Sequence, residues 1–447
     1  MGKAATRLTR AQVLSFASVG IPVGAGSLPL SVFLAPFYAE QMGLGATMTG
    51  IIFMLLRLWD LVTDPVMGWL IDTRPSRWGR VKHWLAISVP VMMLGVLFLF
   101  NPGDPPASPL YLAVWLSVFF VGTTMIMTPH QAWVPSITRT YDERSRLFLW
   151  YEILNTITLL GLLLLPTLLA IFADIDRSTQ VSIMGGVLLV SLPICMGLAL
   201  RFVPDAPPEK GAPRADFSLG TIIAAFRHSA VWRLLATQLL VGVAIASTGS
   251  TFLFAAEWGF GVTDTAPIAL MVYFIAGFLA MPLWTMLSRR TEKHVAMRIV
   301  CVWSALAYLV YLPASAIGGF GALTVAAIIS GIGYGTPYIL VRSMMADVIE
   351  RQAMLAGDER GGLYYALLSG AYKSGASYAD GIPYVLLGLI VGFTPGGDNG
   401  PEAIRGLMMV FVTVPMAAFV VAALVIGGFP LTRAMQASLF TKSEATS

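Results

Sequence analysis

The sequence predicts an all-α integral membrane protein whose twelve transmembrane helices form two pseudo-symmetric bundles of six. Of its 447 residues, 57% are hydrophobic and 12% are charged, which is about half the charge content of a soluble domain. The mean hydropathy is +0.76. The apolar residues fall into stretches that are long enough to cross a hydrocarbon core of about 30 Å. A linker rich in proline and charge divides these stretches into two equal sets.

Each apolar stretch is bounded by charged or turn-forming residues. The predicted spans, numbered 1 to 12 in chain order, cover residues 12–40, 45–72, 83–101, 108–137, 147–173, 180–203, 230–257, 263–288, 296–316, 320–348, 361–394 and 404–432. The linker PDAPPEKGAPRAD begins at Pro204, and its prolines and charges disfavour both a helix and burial. We therefore expect bundles at residues 1–203 and 230–447, joined by a cytoplasmic loop at 204–229.

A short basic turn follows the second span of each half, as expected of two structural repeats. The turns are DTRPSRWGRVK after span 2 and SRRTEKH after span 8. We expect both turns to gate the inner face by contacting cytoplasmic acids, for which Asp72, Glu143 and Glu350 are candidates. Solvated surface charge is the alternative. The gating residues predicted in these turns are Asp72, Arg77, Gly79, Arg80, Arg289 and Arg290.

Lysine and arginine are distributed very unevenly between the two faces. Arg177 and Arg405 alone fall in loops opposite the N-terminus, and Arg57 and Lys373 are the two bases predicted within spans. By the positive-inside rule, both termini of this multi-pass protein of the cell membrane lie in the cytoplasm. The first apolar stretch is far longer than a signal-peptide core, so we expect it to be retained as a span.

Composition and spacing exclude several classes of protein. A net charge of +4 is too small for a nucleic-acid partner. The two cysteines, Cys195 and Cys301, are isolated within apolar runs, so a disulfide framework is not expected. No His/Glu/Asp cluster has metal-ligand spacing and no nucleophile motif is present, which disfavours an enzyme acting on a lipid-linked substrate. We expect a monomer without a cofactor, apart from a bound coupling ion.

Span 2 carries three charged residues on one predicted face. In LLRLWDLVTDPVMGW, Arg57, Asp60 and Asp64 follow one another at spacings of three and four residues, so a helix places them in one stripe. A charge at mid-span costs roughly 2.5 to 3.5 kcal/mol on insertion scales and therefore needs a partner or a function. Two carboxylates one turn apart suit a hard monovalent cation or a proton.

Lys373 in span 11 supplies the second base that two carboxylates and one arginine require. We expect a four-charge cluster in a polar cavity between the two halves, formed by Arg57, Asp60, Asp64 and Lys373. The alternative is that these charges only neutralise one another and hold the helices together.

Span 2 and the turn after it contain a long motif, formed by Arg57, Trp59, Asp60, Asp64, Pro65, Met67 and Gly68, then Arg77, Trp78, Gly79 and Arg80. This run resembles the signature R-x-W-D-x-x-x-D-P-x-M-G, with its tryptophan-glycine-basic loop, of the glycoside-pentoside-hexuronide:cation symporters. That family is the melibiose-permease-like branch of the major facilitator superfamily. The resemblance continues through TPHQAWVPSITRTYDERSRL, MMADVIE and GLYYALLSGAYK, and so covers most of the chain.

The resemblance implies the major facilitator fold and cation-coupled symport of a small organic solute by alternating access. It implies that Asp60 and Asp64 bind the coupling sodium, lithium or proton, and that Thr124 of span 4 contributes to this site. Lys373 matches the family's lysine of span 11, and Arg57 matches the arginine that opens the motif.

The residues that grip the sugar in galactoside-transporting members of the family are not matched. Gly24 in span 1 and Met127 in span 4 stand where aspartates are expected, and Glu152 in span 5 stands near the position of an arginine. A desolvated sugar needs several fixed polar partners. We therefore expect a sugar, a glycoside or a more hydrophobic conjugate rather than a galactoside.

Polar and aromatic side chains along the predicted cavity are the solute-binding candidates: His130, Gln131, Tyr151, Glu152, Tyr372 and Asp380. Glu152 either faces the solute or extends to the lipid headgroups, and Asp380 either lines the cavity or lies near the outer rim. We expect Trp133 and Trp258 to be packing residues. An uncoupled facilitator or a lipid or lysolipid transporter on the same fold remains the alternative function.

Overall fold

The computed structural model describes residues 8–74, 76, 78–79, 81–137, 141–204, 226–356 and 361–431. Within these helices a few side chains are not described, among them those of Asp60, Asp72 and Asp380. Twelve helical segments of the described residues are long and apolar enough to cross a membrane. Apart from one isolated bridge between Ser76 and Gly79, the described chain contains no β-structure. The predicted all-α class with twelve spans is confirmed.

The spans are built from the following helices. Spans 1 to 6 comprise Arg10–Ala17, Gly20–Pro29 and Ala35–Glu40 (span 1), Gly45–Thr73 (span 2), Lys82–Leu99 (span 3), Pro109–Ile137 (span 4), Tyr141–Ala173 (span 5) and Arg177–Phe202 (span 6). Spans 7 to 12 comprise Ser229–Phe254 (span 7), Ala266–Arg290 (span 8), Lys293–Tyr308 and Tyr311–Ile317 (span 9), Gly319–Gly331 and Thr336–Ala356 (span 10), Gly361–Leu386 (span 11) and Pro401–Gly427 (span 12). Single π-helical turns lie in spans 1, 7 and 11, at Leu30–Leu34, Ala255–Gly259 and Leu387–Val391.

Capping side chains fix the start of two spans. Thr9 forms a capping box before span 1, because its hydroxyl accepts from the Gln12 backbone N–H at 3.3 Å and the Gln12 side chain accepts from the Thr9 N–H at 2.9 Å. Asp176 caps span 6 by accepting from the backbone N–H groups of Ser178 and Thr179. Two hydrogen bonds from Thr179 stabilise the ionised carboxylate and lower the pKa of Asp176. The bond from the Thr179 hydroxyl has the larger effect, and the bond from the Thr179 N–H has the smaller one.

The chain divides into two compact units. Among the described residues, the first unit contains 8–204 together with the short segment Thr394–Asp398, and the second contains 226–393 and 399–431. The predicted loop at 204–229 falls mainly on residues outside the described part of the chain, so its limits stay a prediction.

The two units pair their spans in the same way. In the first unit, span 1 packs against spans 5 and 6, span 2 against span 4, and span 3 against span 6. In the second unit, span 7 packs against spans 11 and 12, span 8 against span 10, and span 9 against span 12. Adding six to each pair of the first unit gives a pair of the second, which is the pattern of two structural repeats.

Glycines allow one equivalent pair of spans to cross closely in each unit. A Cβ atom on Gly24 of span 1 would lie 2.5 Å from the Asn155 carbonyl oxygen of span 5. A Cβ atom on Gly242 of span 7 would likewise lie 2.5 Å from the Tyr372 carbonyl oxygen of span 11. The backbones therefore touch at these crossings, and the crossings fix the positions of neighbouring side chains on spans 5 and 11.

Candidate functional site

Side-chain oxygens from spans 2 and 4 converge in the first unit. Thr124 is buried, with 5% of its surface exposed, and its hydroxyl donates to Asp64 Oδ1 at 3.3 Å. The Thr63 hydroxyl lies 3.4 Å from Thr124 Oγ1. Asp64 is half-buried. One carboxylate and two hydroxyls therefore meet where the two helices pack together.

This group of oxygens has the chemistry that a hard cation prefers. Small hard cations bind carboxylate and neutral oxygen ligands rather than nitrogen or sulfur. A carboxylate within a span is costly unless it is paired or used. Pro65 follows Asp64 inside the helix, and a proline leaves the carbonyl one turn earlier without its helical N–H partner. Span 2 is therefore unusually polar at this level.

The backbone places Arg57, Asp60 and Asp64 on one face of the single helix Gly45–Thr73. Arg57 is half-buried and has interaction partners of its own. The Asp60 side chain lies outside the described part of the structure, so its contact with a cation stays a prediction. The structure thus brings together two of the three predicted cation-binding residues, Asp64 and Thr124.

Lys373 is half-buried in span 11 and belongs to the second unit. The Ser377 hydroxyl donates to the Lys373 carbonyl oxygen at 2.7 Å, and the lysine has further interactions. Since Asp64 belongs to the first unit, the predicted four-charge cluster stays a prediction.

His130 packs between three spans of the first unit. It is 4% exposed, its Nε2 lies 3.0 Å from the Phe16 carbonyl oxygen, and its ring stacks on that of Phe16 at a centroid distance of 4.0 Å. The Tyr151 ring of span 5 lies 5.2 Å away on centroids. This geometry favours a packing role for His130. Gln131 and Glu152 are exposed, and their contact with solute stays a prediction.

The first of the two missing aspartates has a structural explanation. Gly24 lies at the crossing of spans 1 and 5, where a Cβ atom would clash with the backbone of Asn155. The Asn155 side-chain amide donates to the Gly20 carbonyl oxygen at 3.3 Å and adds to this contact. No acidic side chain fits at position 24 while the helices cross in this way.

Tyr372 belongs to an aromatic cluster around an arginine that sequence reasoning missed. Its ring lies edge-on to that of Tyr338, 4.9 Å away on centroids. The Arg342 guanidinium lies 5.1 Å from the Tyr338 ring centroid and 5.9 Å from that of Tyr365. The prediction that Arg57 and Lys373 are the two bases within spans is wrong, because Arg342 lies inside the span Gly319–Gln352. Its place within predicted span 10 is the signal that could have identified it.

A second polar group that sequence reasoning missed is Gln238 of span 7. Its side chain is fully buried, and neither amide atom has a hydrogen-bond partner among the described residues. Buried amides are normally hydrogen-bonded because an unpaired one costs free energy.

The predicted gating residues are described only in part. Arg77, Arg80 and the side chain of Asp72 lie outside the described residues, as does the side chain of the solute-binding candidate Asp380. Gly79 has a φ of 106°, and its N–H donates to the Ser76 carbonyl oxygen at 3.0 Å. Arg289 and Arg290 are exposed at the end of span 8. In the same basic turn, Lys293 Nζ forms an ion pair with Asp347 Oδ2 at 2.6 Å, a partner that sequence reasoning did not name.

Comparisons with known proteins agree with this architecture. Residues 15–433 match the family described as MFS/sugar transport protein, where MFS denotes the major facilitator superfamily. The glucuronide carrier protein homolog of Escherichia coli (strain K12) is 23% identical, over 90% of this chain and 88% of its own. The sodium-dependent lysophosphatidylcholine symporter 1 of Gallus gallus is 20% identical, over 95% and 87% of the two chains.

Solved structures show the same fold. The crystal structure of the nucleoside transporter NupG superposes with a TM-score of 0.66 at 13% identity, covering 94% of this chain and 98% of that chain. Among the described residues, no group of three or more His, Cys, Asp and Glu side chains could hold a metal ion.

The family match and the twelve spans together establish that the chain is a multi-pass membrane protein of the MFS/sugar transport family, in its glycoside-pentoside-hexuronide:cation symporter branch.

Proposed function

We propose that the chain is a symporter that couples the movement of sodium ions or protons to that of a small organic solute by alternating access. The observation that carries the proposal is the hydrogen bond from Thr124 to Asp64 between spans 2 and 4. Asp60, one turn from Asp64 on the same helix face, would complete the cation site.

The position of these oxygens supports binding rather than packing. Thr124 is buried while Asp64 keeps some exposure, so the carboxylate can exchange an ion while the hydroxyl stays fixed. A threonine hydroxyl carries two lone pairs besides its one donated proton. The Thr124 hydroxyl can therefore rotate so that its oxygen coordinates a sodium ion instead of donating to Asp64, and this needs little movement of the helices.

Coupling follows if the cation changes the affinity for solute. A bound cation neutralises the stripe of span 2, and any effect on solute affinity is matched by an equal effect of solute on cation affinity. We propose that Lys373 and Arg57 rearrange in response to this neutralisation. By the positive-inside rule, the basic turns after spans 2 and 8 would lie on the cytoplasmic face together with both termini.

The solute belongs to the class of sugars, glycosides or more hydrophobic conjugates. Membership of a sugar-transport family supports a sugar-like solute, and the E. coli relative is named a glucuronide carrier homolog. The crossing at Gly24 leaves no room for a sugar-binding acid, which supports a less polar solute. A lysolipid transporter is the second candidate, because a lysophosphatidylcholine symporter matches over 95% of the chain.

The experiment that tests coupling is solute uptake into proteoliposomes under an imposed sodium or proton gradient. We expect Asp60→Asn and Asp64→Asn each to reduce gradient-driven accumulation to background while the protein still inserts, because a neutral amide removes the charge that attracts the cation. Asp104→Asn, in the exposed loop before span 4, is the matched control and should transport normally. Unchanged accumulation by both span 2 variants would contradict the proposal. Wild-type uptake that ignores both gradients would identify an uncoupled facilitator.

A further inference from the structure

Arg342 is a charged residue well inside span 10. Five residues later in the same helix, Asp347 pairs with Lys293 at the first residue of span 9. This ion pair marks the end of span 10 that lies beside the basic turn between spans 8 and 9. At 1.5 Å per residue, the Cα atom of Arg342 lies about 7.5 Å deeper in the span than that of Asp347.

The guanidinium points away from the near end of the span. Arg342 Nη1 donates to the hydroxyl of Tyr338, which lies one turn closer to the N-terminal end of the helix. Helical side chains lean toward the N-terminus, and here that direction is toward the middle of the span. An arginine that extends to the nearer interface would turn the other way. The charge of Arg342 is thus directed inward.

Aromatic rings surround this charge without neutralising it. The rings of Tyr338 and Tyr365 both lie within about 6 Å of the guanidinium, a distance at which cation–π attraction partly offsets desolvation. The Tyr365 hydroxyl also donates to the Arg342 carbonyl oxygen at 3.4 Å, which holds span 11 against span 10. No described carboxylate lies within ion-pair distance of Arg342.

We propose that Arg342 binds an anionic group, a carboxylate or a phosphate, of the transported solute. A guanidinium has five N–H donors in a planar fork that matches both groups, and one of the five is used by Tyr338. A bound anion would accept from two of the remaining donors and neutralise the embedded charge. The inference rests on the proposed function, because it assigns Arg342 to the solute of that transport.

The competing role is structural: Arg342 could hold spans 10 and 11 together through its two tyrosines alone. A structural arginine would affect stability but would not distinguish a charged solute from a neutral one. The proposal therefore predicts a difference in selectivity, and a loss of stability alone would not support it.

The test measures binding of two matched pairs of probes to the purified full-length protein. One pair is 4-nitrophenyl glucuronide and 4-nitrophenyl glucoside, which differ in a carboxylate. The other pair is a lysophosphatidylcholine and the monoacylglycerol of the same chain, which differ in the phosphocholine group. The variants are Arg342→Gln, Arg342→Lys and the control Arg201→Gln, which alters an exposed arginine beside Phe202 at the end of span 6.

We expect the wild type to bind the charged member of one pair at least about tenfold more tightly than its neutral partner, because a hydrogen bond to a charged group contributes more to affinity than a neutral one. Arg342→Gln should lose that preference without weaker binding of the neutral member, and Arg201→Gln should keep it. Arg342→Lys keeps the charge but loses the planar fork of donors, so we expect an intermediate preference for the charged probe. If Arg342→Gln does not fold, this intermediate preference tests the role of Arg342 instead. The pair that responds shows whether the anion is a carboxylate or a phosphate.

Equal affinity of the wild type for both members of each pair would overturn the proposal, as would a preference that survives in Arg342→Gln. The two proposals fail separately. Cation-dependent transport without any preference for charge would remove the role of Arg342 and leave symport intact. A preference for the anion without any dependence on sodium or pH would remove symport and leave the role of Arg342 intact.

Discussion

Equivalent helix pairs in the two units are held together by different kinds of contact, polar side chains in the first unit and aromatic rings in the second. Spans 2 and 4 meet through Asp64, Thr63 and Thr124, whereas spans 8 and 10 meet through aromatic rings and backbone. In the second pair, the Tyr334 ring lies 4.8 Å from that of Phe274 on centroids. A Cβ atom on Gly277 would lie 2.8 Å from Tyr334 Cβ.

This comparison shows that the helix pairing does not require a carboxylate. The same pairing is achieved in the second unit by close aromatic packing, which carries no desolvation penalty for a buried charge. The oxygens between spans 2 and 4 therefore need an explanation other than stability, and cation binding supplies one. The second unit carries two bases within its spans, Arg342 on span 10 and Lys373 on span 11. The following variants test or refine that contrast.

Among these variants, the largest effect is expected from Lys373→Ala. If the base in span 11 responds to neutralisation of span 2, its removal should reduce gradient-driven accumulation by at least about tenfold, while the amount of inserted protein stays the same. Uptake and the quantity of protein in the same proteoliposomes would be measured together. A variant that accumulates solute like the wild type would show that Lys373 is structural.

A smaller effect is expected from Thr124→Val. This change keeps the side-chain volume but removes the hydroxyl that donates to Asp64, so the cation concentration for half-maximal uptake should rise by about tenfold. Thr123→Val is the matched control, because the Thr123 hydroxyl donates to the Phe119 carbonyl oxygen of its own helix at 3.0 Å. Equal behaviour of the two variants would separate Thr124 from the cation site.

Gly24→Ala tests the crossing that excludes an acidic side chain in span 1. The added Cβ atom would press against the backbone of Asn155, so the free energy of unfolding should fall by about 1 to 3 kcal/mol. Gly186→Ala in span 6, where no atom lies within 4 Å, should be neutral or stabilising because alanine favours a helix. Thermal unfolding in detergent would measure both. Equal stability of the two variants would show that the helices at Gly24 can separate.

The smallest effect is expected at the ion pair of Lys293 and Asp347. Their side chains are 34% and 22% exposed, so a double-mutant cycle with Lys293→Gln and Asp347→Asn should give a coupling free energy below about 1 kcal/mol. A coupling of several kcal/mol would show that the pair is part of a tighter network at the inner face.

Much of this architecture could be predicted because apolar length and charge placement are local properties of the sequence. The limits of span 2 follow from its apolar length, and the stripe of Arg57, Asp60 and Asp64 follows from helical spacing. The meeting of Asp64 with Thr124 could be predicted only from the resemblance to the symporter family, since residues 60 positions apart have no local signal of contact.

The features that could not be predicted depend on how helices cross. Histidine is a residue type that often binds ligands, so the sequence suggests a binding role for His130. Its contacts with the Phe16 carbonyl and with the rings of Phe16 and Tyr151 favour a packing role instead. In the sequence, Gly24 is only a position where an expected aspartate is absent. The contact with the Asn155 backbone shows that a side chain does not fit there. Arg342 falls within predicted span 10, but the direction of its side chain toward Tyr338 follows only from the structure.

The most direct test of cation binding near Asp64 is the thermal stability of the purified protein as sodium replaces choline, and as pH is lowered. A cation that binds only the folded protein raises the unfolding temperature by mass action. We predict that the wild type is stabilised by sodium or by protons, and that Asp64→Asn loses this response while unfolding cooperatively. An Asp64→Asn protein that responds to the cation as the wild type does would contradict the account.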